Sequence, residues 1–449
     1  MSLIAIFLQF AINSESNFDI WVSNTAIVVL LHTIYSLYIL RKSNVSWLSL
    51  PFTFLLCTVL FYYGQVFLLG FFKGYELVHD WNKLSIYPVD VYHNTIMMVM
   101  FFMTTYVIGV LKYYKFDDLI LCKSAEVDRS LYRIGLVVLL FTLPFNIYEN
   151  YLYIVASVAG GYHDIFLVDI PDYVSSISWI SIVGFVACMY GNTKYKKTFL
   201  IVPIILYSLE MVSGNRGPSV CAIITIFAFY NIKYSIKRLS FKLILIYSIL
   251  GFVGLTMLAT IKEFRGVSGK NVDSFVEILN ETLEQNVILR NLEEFGGTVA
   301  VPSIVQIDTQ NYDSYVYGKT YIAGLASIFP NIGHIVSDIT DPVSMIKTVV
   351  KHGIYGEYQS IGGSNIAELY FNFSWLGIIL GGFVFGLFTS KIHNRIILNC
   401  NLSLVLYYVM PYYAIIHWVR SQYNSTVRVI CWSIILIFIL SRLFGSQRK

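Results

Sequence analysis

Three arginines and one glutamate stand out because each sits where an apolar run ends. Arg216 lies in Gly214-Asn215-Arg216-Gly217-Pro218, a tight turn between two such runs. Arg265 follows another in Lys262-Glu263-Phe264-Arg265-Gly266, and Arg420 a third in His417-Trp418-Val419-Arg420. A guanidinium is always charged and presents a fork of N–H donors that matches paired phosphate oxygens. The plainer reading is that each snorkels to a lipid head group. Glu210, six residues before Arg216, can pair with that arginine and orient it, and Asn215 stands beside it in the turn. Arg290 is a further basic candidate. Glu368 falls in the first turn of a new helix, where a carboxylate suits the helix dipole and can also accept a proton. His352 and Glu357 stand behind it as alternative acceptors.

Other chemistries find little support. The sequence has no Asp-x-Asp and no His/carboxylate cluster with ligand spacing, so no metal and no cofactor is expected. Six cysteines are scattered at 57, 122, 188, 221, 400 and 431, without the spacing of a metal site or a disulfide framework. Nothing points to nucleic acid. The stretch from Tyr312 to Tyr321 alternates aromatic and polar groups, among them Tyr317, Lys319 and Tyr321. Sugar rings stack on aromatics and need hydrogen bonds for their hydroxyls; an interfacial aromatic belt is the alternative.

The elements that must position these residues are membrane helices. A mean hydropathy of +0.65, with 56% hydrophobic and 13% charged residues, excludes a water-soluble chain of 449 residues. A helical span needs roughly 20 apolar residues. Runs near 20–40, 48–72, 95–111, 131–147, 174–191, 198–213, 218–232, 243–261, 368–390, 398–418 and 428–444 predict about eleven spans, within a range of 10–12. Residues 3–12 read as a half-inserted or surface segment. Loops on one side carry 19 of the 31 basic residues. Lys/Arg enrichment marks the cytoplasmic face, so the N-terminus is expected outside, the C-terminus in the cytoplasm and the segment 262–367 outside.

That segment holds seven of the 31 basic and twelve of the 27 acidic residues. Three parts follow: an N-terminal bundle of about eight spans over 1–261, a large outer loop with amphipathic helices over 262–367, and about three spans over 368–449. Ser274 and Glu277 have capping-box spacing, predicting an amphipathic helix from about 274 to 294. Asp341-Pro342 predicts a second, shorter helix running toward Lys351. The loop ends in Gly362-Gly363-Ser364-Asn365-Ile366-Ala367-Glu368, where the glycines permit a sharp turn and Ser364 or Asn365 can cap the next helix.

Together, the Gly-Asn-Arg-Gly-Pro turn, the Phe264-Arg265-Gly266 step, the Tyr317-to-Tyr321 run before Phe329-Pro330 and the Gly362-to-Phe373 stretch resemble the Wzy-type O-antigen polymerases. The resemblance implies a GT-C-like all-α membrane enzyme that needs no metal, in the bacterial cytoplasmic (inner) membrane. Its substrates would be undecaprenyl-pyrophosphate-linked oligosaccharide repeat units, both as donor and as acceptor. A flippase would deliver them, and a chain-length regulator is a further expected partner. Arg216 and Arg265 would then hold the leaving diphosphate, with Glu368 as the base. Arg290, Arg420, Tyr317, Lys319, Tyr321, Asn365 and His352 would contact substrate, with Glu210 and Asn215 supporting Arg216. An O-antigen ligase shares the same donor chemistry, and a flippase or transporter is the alternative from another class.

Overall fold

The computed structural model describes residues 2–12, 17–75, 77, 87–114, 129–160, 168, 170–192, 194–213, 216–234, 254, 256, 260, 264, 271–284, 286–329, 362–398 and 402–444. No strand occurs among the described residues. The helices begin with α1 (Ser2–Ala11), α2 (Phe18–Lys42), α3 (Leu50–Phe71) and α4 (Val89–Tyr113). Then come α5 (Arg129–Gly160), α6 (Asp172–Gly191), α7 (Thr198–Ser213) and α8 (Arg216–Tyr234). The segment 262–367 contributes α9 (Val272–Glu284), α10 (Val287–Gly296), α11 (Ala300–Tyr312) and α12 (Lys319–Ala326). Last are α13 (Asn365–Leu398), α14 (Val409–Trp418) and α15 (Tyr423–Phe444).

Seven of these helices, α2 to α6, α13 and α15, are long and apolar enough to cross a membrane. They account for seven of the eleven expected spans. The runs at 198–213 and 218–232 are helices α7 and α8, whereas 398–418 holds the short helix α14. The expected span 243–261 and the helix expected after Asp341 fall outside the described residues, apart from isolated positions in the first.

Local chemistry sets the helix ends. The Asn17 side chain caps α2 by accepting from the Asp19 N–H at 2.9 Å, and Arg41 and Lys42 occupy its last turn. This is the charge order that the helix dipole favours. Ser49 caps α3, with Pro51 in the first turn. The helix expected over 274–294 is two helices, and its cap lies one turn earlier than expected. The Ser274 N–H donates to Asn271 Oδ1 at 2.7 Å, and the Asn271 N–H donates to Ser274 Oγ at 3.1 Å. Asn286 then supplies a fresh cap, its Oδ1 accepting from the Leu289 N–H at 3.3 Å.

The chain divides into two compact units. The first comprises Met1–Leu119, Leu292–Ile396 and Ala414–Arg428. Within it, glycines let helices approach to backbone contact. A Cβ on Gly386 of α13 would lie 2.1 Å from the Tyr106 carbonyl oxygen of α4, and one on Gly109 of α4 would lie 2.2 Å from the Phe383 carbonyl oxygen. Small residues at such crossings are how membrane helices gain packing contact where lipid supplies no hydrophobic drive. Part of the segment 262–367 is buried here too. Gly296 meets α3 beside Gly64 and Gln65, and Thr95 of α4 shares a 2.9 Å hydrogen bond with Ser303 of α11. Buried Gln9 ties α1 down, donating to Thr25 Oγ1 at 3.1 Å.

The second unit comprises Ile120–Asn291, Ile397–Tyr413 and Val429–Lys449. Its helix α5 runs well past the expected end at 147, and there Asn146 and Glu149 are polar residues that serines of α6 satisfy. Ser175 donates to Glu149 Oε1 at 2.5 Å, and Asn146 Nδ2 donates to Ser178 Oγ at 2.9 Å. Trp179 is stacked between Tyr207 and Tyr413, with centroid distances of 5.9 and 5.4 Å.

Replacing Gly386 by Val should lower stability by at least about 1–3 kcal/mol, the usual cost of overpacking a filled crossing. The atom that it strikes belongs to the α4 backbone and has no rotamer by which to retreat. Thermal unfolding of the purified protein in detergent should show a lower midpoint than wild type.

Candidate functional site

The Gly362-to-Glu368 stretch and the turn carrying Arg420 are packed against each other within the first unit. Gly362 has a φ of +70°, the left-handed region that glycine enters without cost. At Gly363 a Cβ would fall 2.2 Å from the Ser421 carbonyl carbon, so only glycine lets the two backbones touch. Ser364 then caps α13, its Oγ accepting from the Ala367 N–H at 3.1 Å. Of the two caps that the sequence left open, the serine takes the role.

Beneath this junction lies Tyr62 of α3, fully buried. Its hydroxyl sits 2.5 Å from Ser364 Oγ, 3.0 Å from Asn365 Oδ1 and 3.1 Å from the Val419 carbonyl oxygen. One phenol therefore joins α3, the start of α13 and the Arg420 turn. Nothing in the sequence marks it, since it is one aromatic among many in an apolar helix. Its partners lie some 300 and more residues away along the chain.

Glu368 completes the junction. It is 4% exposed, and its Oε2 accepts from Trp418 Nε1 at 3.2 Å and from the Tyr423 N–H at 2.9 Å. The carboxylate thus holds both ends of the turn between α14 and α15. Oε1 takes neither of these bonds. The Thr320 hydroxyl also faces the carboxylate, and Thr320 is itself held by Asn372 Nδ2 at 2.7 Å.

Asn372 brings the aromatic run to the same helix. Its Oδ1 accepts from the Gly318 N–H at 2.9 Å, and the Val316 N–H donates to the Phe371 carbonyl at 3.2 Å. Tyr321 stacks on Phe373, with 6.1 Å between centroids, and meets Tyr423 edge-on at 5.0 Å. Its hydroxyl is buried and has no hydrogen-bond partner among the described residues. Burial, reinforced by the Glu368 charge and by Tyr423, pushes its pKa well above the ordinary phenol value, so it remains a donor. Asn365 Nδ2 is a second buried donor without a partner among the described residues.

The expected continuous span from 368 to 390 is broken. Ser374 has φ 53° and ψ −147°, which no helix accommodates. Beyond it the chain folds back, since a Cβ on Gly377 would lie 2.4 Å from the Leu369 carbonyl oxygen and one on Gly381 would meet the Leu369 side chain. In a straight helix, residues twelve apart lie about 18 Å from each other. Asn365–Phe373 is accordingly a short helix of its own. A residue held in so sparsely populated a conformation costs about 1–3 kcal/mol and persists only where its surroundings fix it.

The structure thus gathers Asn365, Glu368, Tyr321 and the Arg420 turn. Lys319 and Tyr317 are exposed nearby in sequence, Tyr317 at 75% and with a φ of +49°. In the second unit, Glu210 is buried near the end of α7, Arg290 is half-buried in α10, and Arg216 is the first residue of α8. Asn215, Arg265 and His352 lie outside the described residues. Among the described residues no group of three or more His, Cys, Asp or Glu converges as a metal cage.

A family model for the O-antigen polysaccharide polymerase Wzy matches residues 1–448. The chain belongs to that family. No curated protein and no solved structure matches it. Wzy polymerases act on lipid-linked oligosaccharide repeat units in the membrane, and seven helices long and apolar enough to cross a membrane fit that work.

Gly363→Ala should be costly in this arrangement, because the added methyl meets backbone rather than a side chain. We expect a loss of about 1–3 kcal/mol, as for other overpacked sites, together with shorter polymer. Thermal unfolding and a glycan ladder from complemented cells would read the two effects.

Proposed function

We propose that this polymerase joins undecaprenyl-diphosphate-linked repeat units into O-antigen or capsular polysaccharide on the outer face of the cytoplasmic membrane. The growing glycan passes from its lipid carrier to the non-reducing end of the next unit. In that step the bond from the anomeric carbon to the diphosphate breaks, and the electron pair leaves with the diphosphate. A bond to the acceptor hydroxyl oxygen forms, and the hydroxyl proton goes to Glu368. The reading is carried by one observation, made on a chain whose family is known: a buried carboxylate pins the turn that carries a guanidinium, beside an aromatic run suited to sugars.

Charge develops on the leaving diphosphate, and preorganised donors lower the barrier most when aimed at developing charge. Arg216 and Arg265 take this role on the strength of their sequence positions at the exterior ends of apolar runs, with Arg290 as a further ligand. Glu210 and Asn215 orient Arg216. Glu368 suits proton transfer because two donors fix Oε2 and hold the carboxylate in one orientation. Tyr321 and Asn365 present donors to the sugar, while Tyr317, Lys319 and His352 line its approach. The same reading places the N-terminus outside, the C-terminus in the cytoplasm and the segment 262–367 as an outer cap. A flippase supplies the units, and a chain-length regulator acts on the polymer.

Arg216→Ala and Arg265→Ala should each remove long-chain glycan and leave single repeat units on the acceptor. Loss of one such donor costs on the order of 10²–10³ in rate. Lysine should restore little at either position, because it lacks the paired fork. Normal ladders from both alanine variants would eliminate the arginine clamp.

Glu368→Gln keeps an acceptor for Trp418 and Tyr423 but cannot take a proton. With purified protein and lipid-linked units, polymerisation should fall on the order of 10²–10⁴-fold with the melting midpoint little changed. Near-normal turnover would show that Glu368 only holds the turn.

A further inference from the structure

Arg420 sits on a turn whose surroundings the structure displays, and among the described residues they lack a counter-charge. The side chain is half-buried, and its guanidinium carbon stands 6.0 Å from the centroid of the Phe61 ring. Among the described residues it makes no ion pair and no side-chain hydrogen bond. Its guanidinium N–H donors therefore meet no acceptor among the described residues. An arginine that only snorkels on a flexible loop needs no scaffold, whereas the scaffold under Arg420 is elaborate. Its own N–H bonds the His417 carbonyl at 3.0 Å. Val419 before it is held by Tyr62, Tyr423 after it by Glu368, and Ser421 and Gln422 lie against Gly363. Further along, Ser327 Oγ donates to the Asn424 carbonyl at 3.3 Å, and Arg428 Nε donates to the Ser327 carbonyl at 2.9 Å.

We propose that the Arg420 guanidinium is a binding site for one phosphate of the lipid-linked donor, and that Tyr62 is the residue that positions it. The proposal rests on the polymerase reading above and adds a phosphate ligand in the first unit. A fixed, forked cation with unengaged donors has the chemistry of a phosphate ligand. The aromatic face of Phe61 supports the cation without neutralising it. Tyr62 touches no substrate in this account. It acts through the Val419 carbonyl, which fixes the turn one residue before Arg420, and through Ser364 and Asn365, which set the opposing backbone at Gly363.

The test uses the purified full chain, with undecaprenyl diphosphate in detergent micelles as the probe and anionic phospholipid in parallel micelles as the comparison. Arg420→Ala should weaken binding of the diphosphate lipid at least tenfold, with Arg420→Lys between it and wild type. Binding of the phospholipid should not change. Tyr62→Phe should weaken diphosphate binding by a similar factor in the wild-type background and by less than twofold when added to Arg420→Ala. That non-additivity belongs to residues acting as one unit, and a general loss of packing would not produce it. Unchanged diphosphate binding in Arg420→Ala overturns the site. So does an equal loss for diphosphate lipid and phospholipid, which would make Arg420 a head-group anchor. An equal Tyr62→Phe effect in both backgrounds overturns the positioning role. Failure of the polymerase reading would appear separately, as wild-type protein that elongates no lipid-linked unit.

Discussion

Backbone that is not helical must find hydrogen-bond partners within the protein when it is buried, because water cannot satisfy it there. That constraint governs the whole region around Glu368. Two irregular stretches, Gly362–Ser364 and Val419–Gln422, face each other there, and neither can satisfy its groups alone. Tyr62 takes the Val419 carbonyl, Glu368 takes the Tyr423 N–H, and Ser364 takes the Ala367 N–H. The groups that satisfy the backbone are the same ones that fix the chemistry-bearing side chains. Structural satisfaction and positioning are here a single network.

Glycine does two separate jobs in this unit. At Gly109, Gly382 and Gly386 it removes side chains so that α4 and α13 can touch, which gives the bundle a firm floor. At Gly362 it supplies a left-handed turn, and at Gly363 a backbone contact. The two kinds look alike in a sequence. They part only when the neighbouring chain is known.

Much of the fold was legible from composition. Apolar runs marked seven helices long enough to cross, and the Gly-Gly-Ser-Asn stretch announced a turn followed by a capped helix. Glu368 could be singled out because it stands alone at a boundary. Tyr62 could not, since its importance comes from partners at Ser364 and Val419 that no local pattern reveals. The break at Ser374 was hidden for a related reason. The run from 368 to 390 is apolar enough to read as one span, and only the contacts of Gly377 and Gly381 with Leu369 disclose the reversal. The cap of α9 was misplaced by one turn because Asn271 and Ser274 both have capping side chains, and spacing alone does not choose between them.

The short helix Asn365–Phe373 is bolted at one end to Tyr62 and at the other to Gly318 and Thr320. Its length works as a spacer of roughly 13 Å, nine residues at 1.5 Å each. The contacts of Tyr62 and those of Gly318 are thereby held at a set separation along the helix. An exposed side chain at the far end, such as Tyr317, can change without disturbing the contacts around Tyr62 and Glu368. The two ends of one short helix are in this way free to vary independently.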